Sequence, residues 1–217
     1  MPYRTIKQWP SKCLSQKSEP ATLEEIKLIS IDLIDTLKVI PGAGLAAPQI
    51  NILKQVLVID TSRFDSENPD KEKGHEKYWV IANPKISNTA GDFRWKEACL
   101  SVPLVKCDVT RFESLTLEYQ DINGETSIVD LSPPLSLAVQ HESDHLIGIT
   151  ILDRVSNFQG SIYKRKIRKS ILKSLKMHEE LEKSDEIKIG RIKKKSHLSA
   201  QERKKRKKNR IRNVKKK

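Results

Sequence analysis

The chain has no long apolar run. Nowhere in its 217 residues does a window approach the roughly 18 uninterrupted apolar residues of a membrane-spanning helix. It opens Met1-Pro2-Tyr3-Arg4-Thr5-Ile6-Lys7 with no apolar stretch behind the basic residues, so no secretory signal is expected. Cysteine is scarce: Cys13, Cys99 and Cys107 are too few for a disulfide framework and point to a reducing compartment. Membrane partners and disulfide-rich secreted classes drop out.

Acidic residues are missing from one end. Residues 187–217 hold 16 Lys and Arg against the single acid Glu202, a local charge of +15, whereas the rest of the chain is at −2 and the whole at +13. A near-neutral body therefore carries a basic tail. Such a tail repels itself and has too few apolar groups to offset the entropy of ordering, so disorder is expected when it is alone. Clustered cations of this kind suit phosphate by counterion release, with Lys204, Lys205, Arg206, Lys207 and Lys208 as the densest candidate contacts to nucleic acid.

The body alternates between two periods. Residues 23–37 place Ile26, Ile29, Leu33, Ile34 and Leu37 at helical spacing, behind a Thr22/Glu25 pair that has the form of a capping box and before Pro41-Gly42. Residues 55–60 read as a buried strand. Residues 79–86, 114–119 and 126–131 alternate like strands, the last after an Asn123-Gly124 turn, and residues 61–77 read as a loop. Residues 135–147 return to helical spacing between Pro133-Pro134 and Gly148. Residues 162–181 form a last amphipathic pattern, with Ile167, Ile171, Leu172 and Leu175 on one side. The sum is an α+β fold, with antiparallel strands around a central helix, then a C-terminal helix and the tail. The expected divisions are a body over 1–160, a helix over 161–186 and a tail over 187–217.

The central helix carries His141-Glu142-Ser143-Asp144-His145, an H-E-x-x-H. Histidines four apart share a helix face and can reach one divalent cation, with Glu142 placed to handle protons on a water. The pentapeptide alone is weak, and a catalytic centre of this type needs a third protein ligand. Downstream there is none: Ile151 stands where metzincins carry a third His, and no Asp or Glu lies between Asp153 and Glu179. Upstream, Cys99 is the best candidate, with Cys13 and Cys107 as competitors. A thiolate with two imidazoles suits Fe(II), Zn(II), Ni(II) or Co(II). Gly42-x-Gly44-x-x-Ala47 superficially matches a dinucleotide fingerprint, but it follows a helix and leads into a strand, the reverse of what that fingerprint requires.

Three segments, in order, resemble the motifs of the peptide deformylase family: Gly42-Ala43-Gly44-Leu45-Ala46-Ala47-Pro48-Gln49, Glu97-Ala98-Cys99-Leu100-Ser101 and Gln140-His141-Glu142-Ser143-Asp144-His145-Leu146. The similarity runs over about residues 6–155. It implies removal of the formyl group from the N-terminal formylmethionine of nascent polypeptides, with Fe(II) as the native metal and Zn(II), Ni(II) or Co(II) as replacements. It implies Cys99, His141 and His145 as ligands, with water or hydroxide at the fourth corner and Glu142 as general base and then acid. Gln49 and the Leu100 N–H would donate to the formyl oxygen. Gly42, Ala43, Gly44, Leu45 and Ala98 would meet the substrate backbone, and Leu137 and Ala138 the methionine side chain. Glu97 and Arg111 resemble the family's ion pair behind the metal loop, and Asp144 would hold a ligand histidine. Ala98 departs from the family's glycine, and Lys106 from its usual arginine. The tail would then dock the enzyme on ribosomal RNA, in a bacterial-type cytoplasm or an organelle with its own translation. Two rivals remain: a metallopeptidase, and a catalytically weak relative that binds RNA.

Overall fold

The computed structural model describes residues 3–64, 77–177 and 180–181. Helix α1 (Leu23–Val39) starts at the expected capping box: the Thr22 hydroxyl accepts from the Glu25 N–H at 3.3 Å, and the Glu25 carboxylate accepts from the Thr22 N–H at 2.8 Å. Short strand β1 (Gly44–Ala46) follows, then β2 (Val56–Asp60), β3 (Tyr78–Ala90), β4 (Phe93–Cys99), β5 (Val102–Arg111), β6 (Ser114–Gln120) and β7 (Thr126–Leu131). Helix α2 (Leu135–Leu146) carries the H-E-x-x-H, and a further helix runs over 157–177.

The strands form an antiparallel five-stranded sheet in the order β1-β2-β3-β6-β7, and a separate β4-β5 hairpin. Strand β2 explains the architecture. Val56 and Val58 join Ile26, Ile29, Leu33 and Leu37 of α1 in one apolar cluster, while Leu57 and Ile59 join Leu135, Val139 and Leu146 of α2 in another. Successive side chains leave a strand on opposite faces, so an unbroken apolar run is what a strand needs when a helix covers each side. The sheet thus separates α1 from α2. At the sheet's first edge β1 has only β2 for a neighbour.

The structure adds what the sequence pattern had left out. Strands β4 and β5 were not foreseen as a pair, and β3 extends past residue 86 through register shifts after Ala82 and Ser87. The first of two compact units runs over Met1–Ile167, and Ile167, fully buried, fastens the first half of the last helix to the body. Of the second unit, residues 168–177 continue that helix, with Leu172 and Leu175 exposed. The basic run 187–217, including Lys204, Lys205, Arg206, Lys207 and Lys208, and residues 65–76 of the long loop lie outside the described residues. Among those described, no helix is long and apolar enough to cross a membrane.

Candidate active site

Helix α2 lifts His141 and His145 one turn apart onto one side, their rings 5.4 Å apart and nearly perpendicular. Strand β4 brings Cys99 to meet them from a part of the chain more than forty residues away. The Cys99 Sγ lies 3.3 Å from His145 Nε2, and the ligating atoms of Cys99, His141 and His145 all fall within 4.8 Å of one another. Among the described residues this is the one such cluster of His, Cys and acids. Cys13 and Cys107, the competing thiols, are buried elsewhere.

The electrostatics suit a cation. Burial alone would push the Cys99 thiol up, but the charge of His145 and the hydrogen bonds of both imidazoles outweigh it and bring its pKa down to about 5. A sulfur so acidic is a thiolate near neutrality, the form that binds metal. Cys107 shows the contrast: with burial and nearby carboxylates against ionisation, it is pushed up to about 11 and stays a thiol. Burial lowers His141's affinity for a proton, yet its bonds to Cys99 and Glu97 raise it well above the ordinary imidazole value. A thiolate set beside two imidazoles matches one divalent cation held by sulfur and nitrogen.

Behind the cluster the supporting pair is Glu97 with Arg111, as expected. Arg111 donates through Nε and through Nη2 to the two oxygens of Glu97, the latter at 2.9 Å. Glu97 in turn holds His141 Nδ1 at 2.7 Å, which leaves Nε2 of that ring for the centre. Burial works against the Glu97 charge, but the hydrogen bonds from His141 and Arg111 prevail and hold its carboxyl at about 2. Asp144 needs a correction. It does not touch a ligand histidine; its oxygens accept from Arg111 Nη1 at 3.0 Å and from Arg154 Nε at 2.9 Å. Both its oxygens are taken up by the two guanidinium groups, so Asp144 supports the histidine through Arg111 and Glu97.

Glu142 faces the cavity that the cluster opens into. Its carboxyl is buried, burial raises its pKa, and Oε2 has no hydrogen-bond partner among the described residues. Gly44 makes room for it. A Cβ on Gly44 would stand 2.8 Å from both Cγ and Oε1 of Glu142 and 2.9 Å from Ile59, so only glycine fits without displacing the acid. Gln49 is buried beside the sulfur: its Oε1 accepts from the Ala46 N–H at 2.8 Å, and its Nε2 donates to Ser101 Oγ at 3.1 Å and lies 3.8 Å from Cys99 Sγ.

The cavity measures about 410 Å³ and brings together Gly42, Ala43, Gly44, Gln49, Ala98, Leu100, Leu137 and Ala138, as expected, with Cys99, His141 and Glu142. Leu45 is the exception. On β1 it points the other way and is fully buried in the α1 cluster, so its side chain meets no substrate. Ala98 alternates away from Glu97 and Cys99, sits in register with Lys106 and is exposed, so its methyl has open space. Pro41, Phe64, Trp95 and Pro134 also line the cavity and were missed. Trp95 had a signal: two residues before Glu97, it shares the inward face of β4.

The model of the polypeptide deformylase family matches residues 3–160. The chain belongs to the peptide deformylase family. The peptide deformylase of Acidobacterium capsulatum is 37% identical over 171 residues, covering 78% of this chain and 96% of that protein. That of Desulfotalea psychrophila is 34% identical over 166 residues, with 76% and 94% covered. Among solved structures, a peptide deformylase from Legionella pneumophila superposes with a TM-score of 0.69 at 30% identity over 81% of this chain and 98% of its own. One from Ehrlichia chaffeensis in complex with actinonin gives 0.68 at 31% identity, covering 78% and 98%. As a deformylase the chain is a metal-dependent hydrolase that removes the formyl group from N-terminal formylmethionine and releases formate. The metallopeptidase reading is not favoured.

Proposed function

We propose that Cys99, His141 and His145 hold one divalent ion, Fe(II) first and Zn(II), Ni(II) or Co(II) as substitutes, and that Glu142 moves the protons of deformylation. The observation that carries this is the meeting of Cys99 Sγ with His145 Nε2 at 3.3 Å beside an unpartnered, buried Glu142 oxygen. The ion, when bound, polarises the formyl oxygen and acidifies a water at neutral pH.

The rest falls to the chain. Glu142 Oε2 takes a proton from the water as its oxygen bonds to the formyl carbon. It then gives that proton to the departing amine nitrogen as the C–N bond breaks, leaving formate and a free methionine amine. Burial raises the pKa of Glu142, which brings the acid nearer to working pH and lets it serve in both directions. Gln49 Nε2, beside the sulfur, and the Leu100 N–H donate to the formyl oxygen as it gains charge, each worth about 2.7–4 kcal/mol of barrier. The peptide backbone lies as an added strand between Gly42–Gly44 and Ala98, and the methionine side chain enters between Leu137 and Ala138.

The body over 1–160 is then the catalytic part. Residues 161–186 and the tail over 187–217 bring it to ribosomal RNA in a cytoplasm of bacterial type. The support for this is the +15 charge of the tail. Formate release from a formyl-Met peptide by the anaerobically prepared Fe(II) protein tests the chemistry, with the acetylated peptide of the same sequence as control. Release from the first alone is expected, and no release from either overturns the assignment. For the tail, co-sedimentation with ribosomes that is no weaker in a protein ending at Ser161 would refute the docking.

A further inference from the structure

Helix α2 has a second working face. Leu137, Ala138, His141 and Glu142 look into the active cavity, whereas Gln140, Ser143, Asp144 and Leu146 look into another, of about 390 Å³. At about 100° per residue the two sets leave the helix on different sides, so the cavities share a wall and not an opening. Pro84 and Ile86 of β3, together with Phe112 and Ile147, supply an apolar lining to the second.

Three observations set it apart from a packing gap. Its volume falls within the range of small-molecule sites. Ser143 Oγ is buried on its wall with no hydrogen-bond partner among the described residues, a state that buried hydroxyls rarely keep. At its rim Phe112 and Ile147 remain 46% and 51% exposed, two large apolar side chains side by side with donors.

The charges say what would fill it. Arg111 is engaged by Glu97 and Asp144, and Arg154 by Asp144 through Nε and Nη2, which leaves Nη1 of Arg154 without a partner among the described residues. The lining carries two arginines, Arg111 and Arg154, and two acids, Asp92 and Asp144, while Glu97 behind Arg111 is taken up by Arg111 and His141. Neither an anion nor a cation gains a net attraction there. What remains unmet is hydrogen-bond donation, from Arg154 and from the Ser143 hydroxyl.

The geometry points to a second binding site, on the far side of α2, for a small uncharged molecule with a carbonyl acceptor on an apolar body. The carbonyl meets Ser143 and Arg154, and the body lies against Ile86, Phe112 and Ile147. Benzamide, benzoate and benzamidinium share a shape and differ in charge, and so separate this reading from its competitors. Titrated into the full-length, metal-loaded protein and followed by backbone amide resonances, benzamide shifts Phe112, Ser143 and Ile147 saturably. Its dissociation constant is expected below those of both ions, by about fivefold against benzamidinium, which has no acceptor and forfeits one ordinary hydrogen bond. Ser143→Ala weakens it about as much. Ile147→Asp, at an exposed position outside the catalytic cavity, weakens it while leaving formate release unchanged. Absence of saturable shifts, shifts confined to the active cavity, tightest binding by benzoate, or full binding in both variants would overturn the site.

Discussion

Replacing Gly44 with alanine places a methyl carbon where the structure has no space for one. The added Cβ would stand 2.8 Å from Glu142 Cγ and Oε1 and 2.9 Å from Ile59 Cδ1, distances real Cβ atoms do not tolerate. Ile59 is fully buried in the cluster under α2 and cannot yield cheaply, so the freer carboxylate of Glu142 gives way. To restore ordinary contact the acid must move by something under 1 Å, and a misplacement of about that size in a catalytic group costs about 100-fold in rate. The overpacking itself costs about 1–3 kcal/mol of stability, which leaves the protein folded. The metal ligands Cys99, His141 and His145 do not touch Gly44, so metal content should hold. Steady-state formate release from a formyl-Met peptide, with metal measured on the same sample, reads the result. The expectation is kcat down about 100-fold at unchanged metal content. Activity within about threefold of the parent would mean that Glu142 does not need the position it has, and would refute its assignment as the proton carrier.

Three further outcomes follow from the same geometry. Glu142→Ala keeps its metal and loses about 100-fold to 10,000-fold in kcat, measured by formate release, because a general acid–base is removed while the ligands stay. Arg111→Met leaves Glu97 buried without its guanidinium partner, so a chemical denaturation curve should show a loss of about 3–5 kcal/mol, and metal affinity should fall as Glu97 loosens its hold on His141. Thr22→Ala removes one half of the cap on α1 and should cost about 1 kcal/mol in the same assay without affecting turnover, since α1 lies across the sheet from the site.

How far the sequence could be read depended on whether a signal was local. The capping box of Thr22 and Glu25 and the H-E-x-x-H of α2 are short-range patterns, and both elements lie where those patterns put them. Strand β2 was legible because a doubly covered strand is apolar throughout. The β4-β5 pair was missed although Phe93, Arg94, Trp95 and Lys96 alternate, as do residues 105–110; only the buried Glu97 breaks the pattern, a core position occupied by a charge that Arg111 satisfies from the neighbouring strand. The residues that family likeness singled out, Cys99, His141, His145, Glu142, Gln49 and the Glu97–Arg111 pair, lie together in the fold. The likeness misdirected Asp144, whose partner Arg154 comes from beyond the end of α2 and leaves no mark in local spacing. The Leu45 side chain is turned into the α1 cluster, which a motif quoted as a string does not show, since alternate residues of a strand face opposite ways. The burial of Ile167 was hidden for a similar reason, because a helical pattern does not tell which of its turns the body buries.

The central claim is that one sulfur and two imidazoles share a metal ion, and X-ray absorption on the zinc-loaded, full-length protein tests it most directly. The account predicts one sulfur at about 2.3 Å and two nitrogens at about 2.0–2.1 Å, with the sulfur lost in Cys99→Ala. A first shell of nitrogen and oxygen only in the parent protein, or a sulfur that persists in Cys99→Ala, would contradict it.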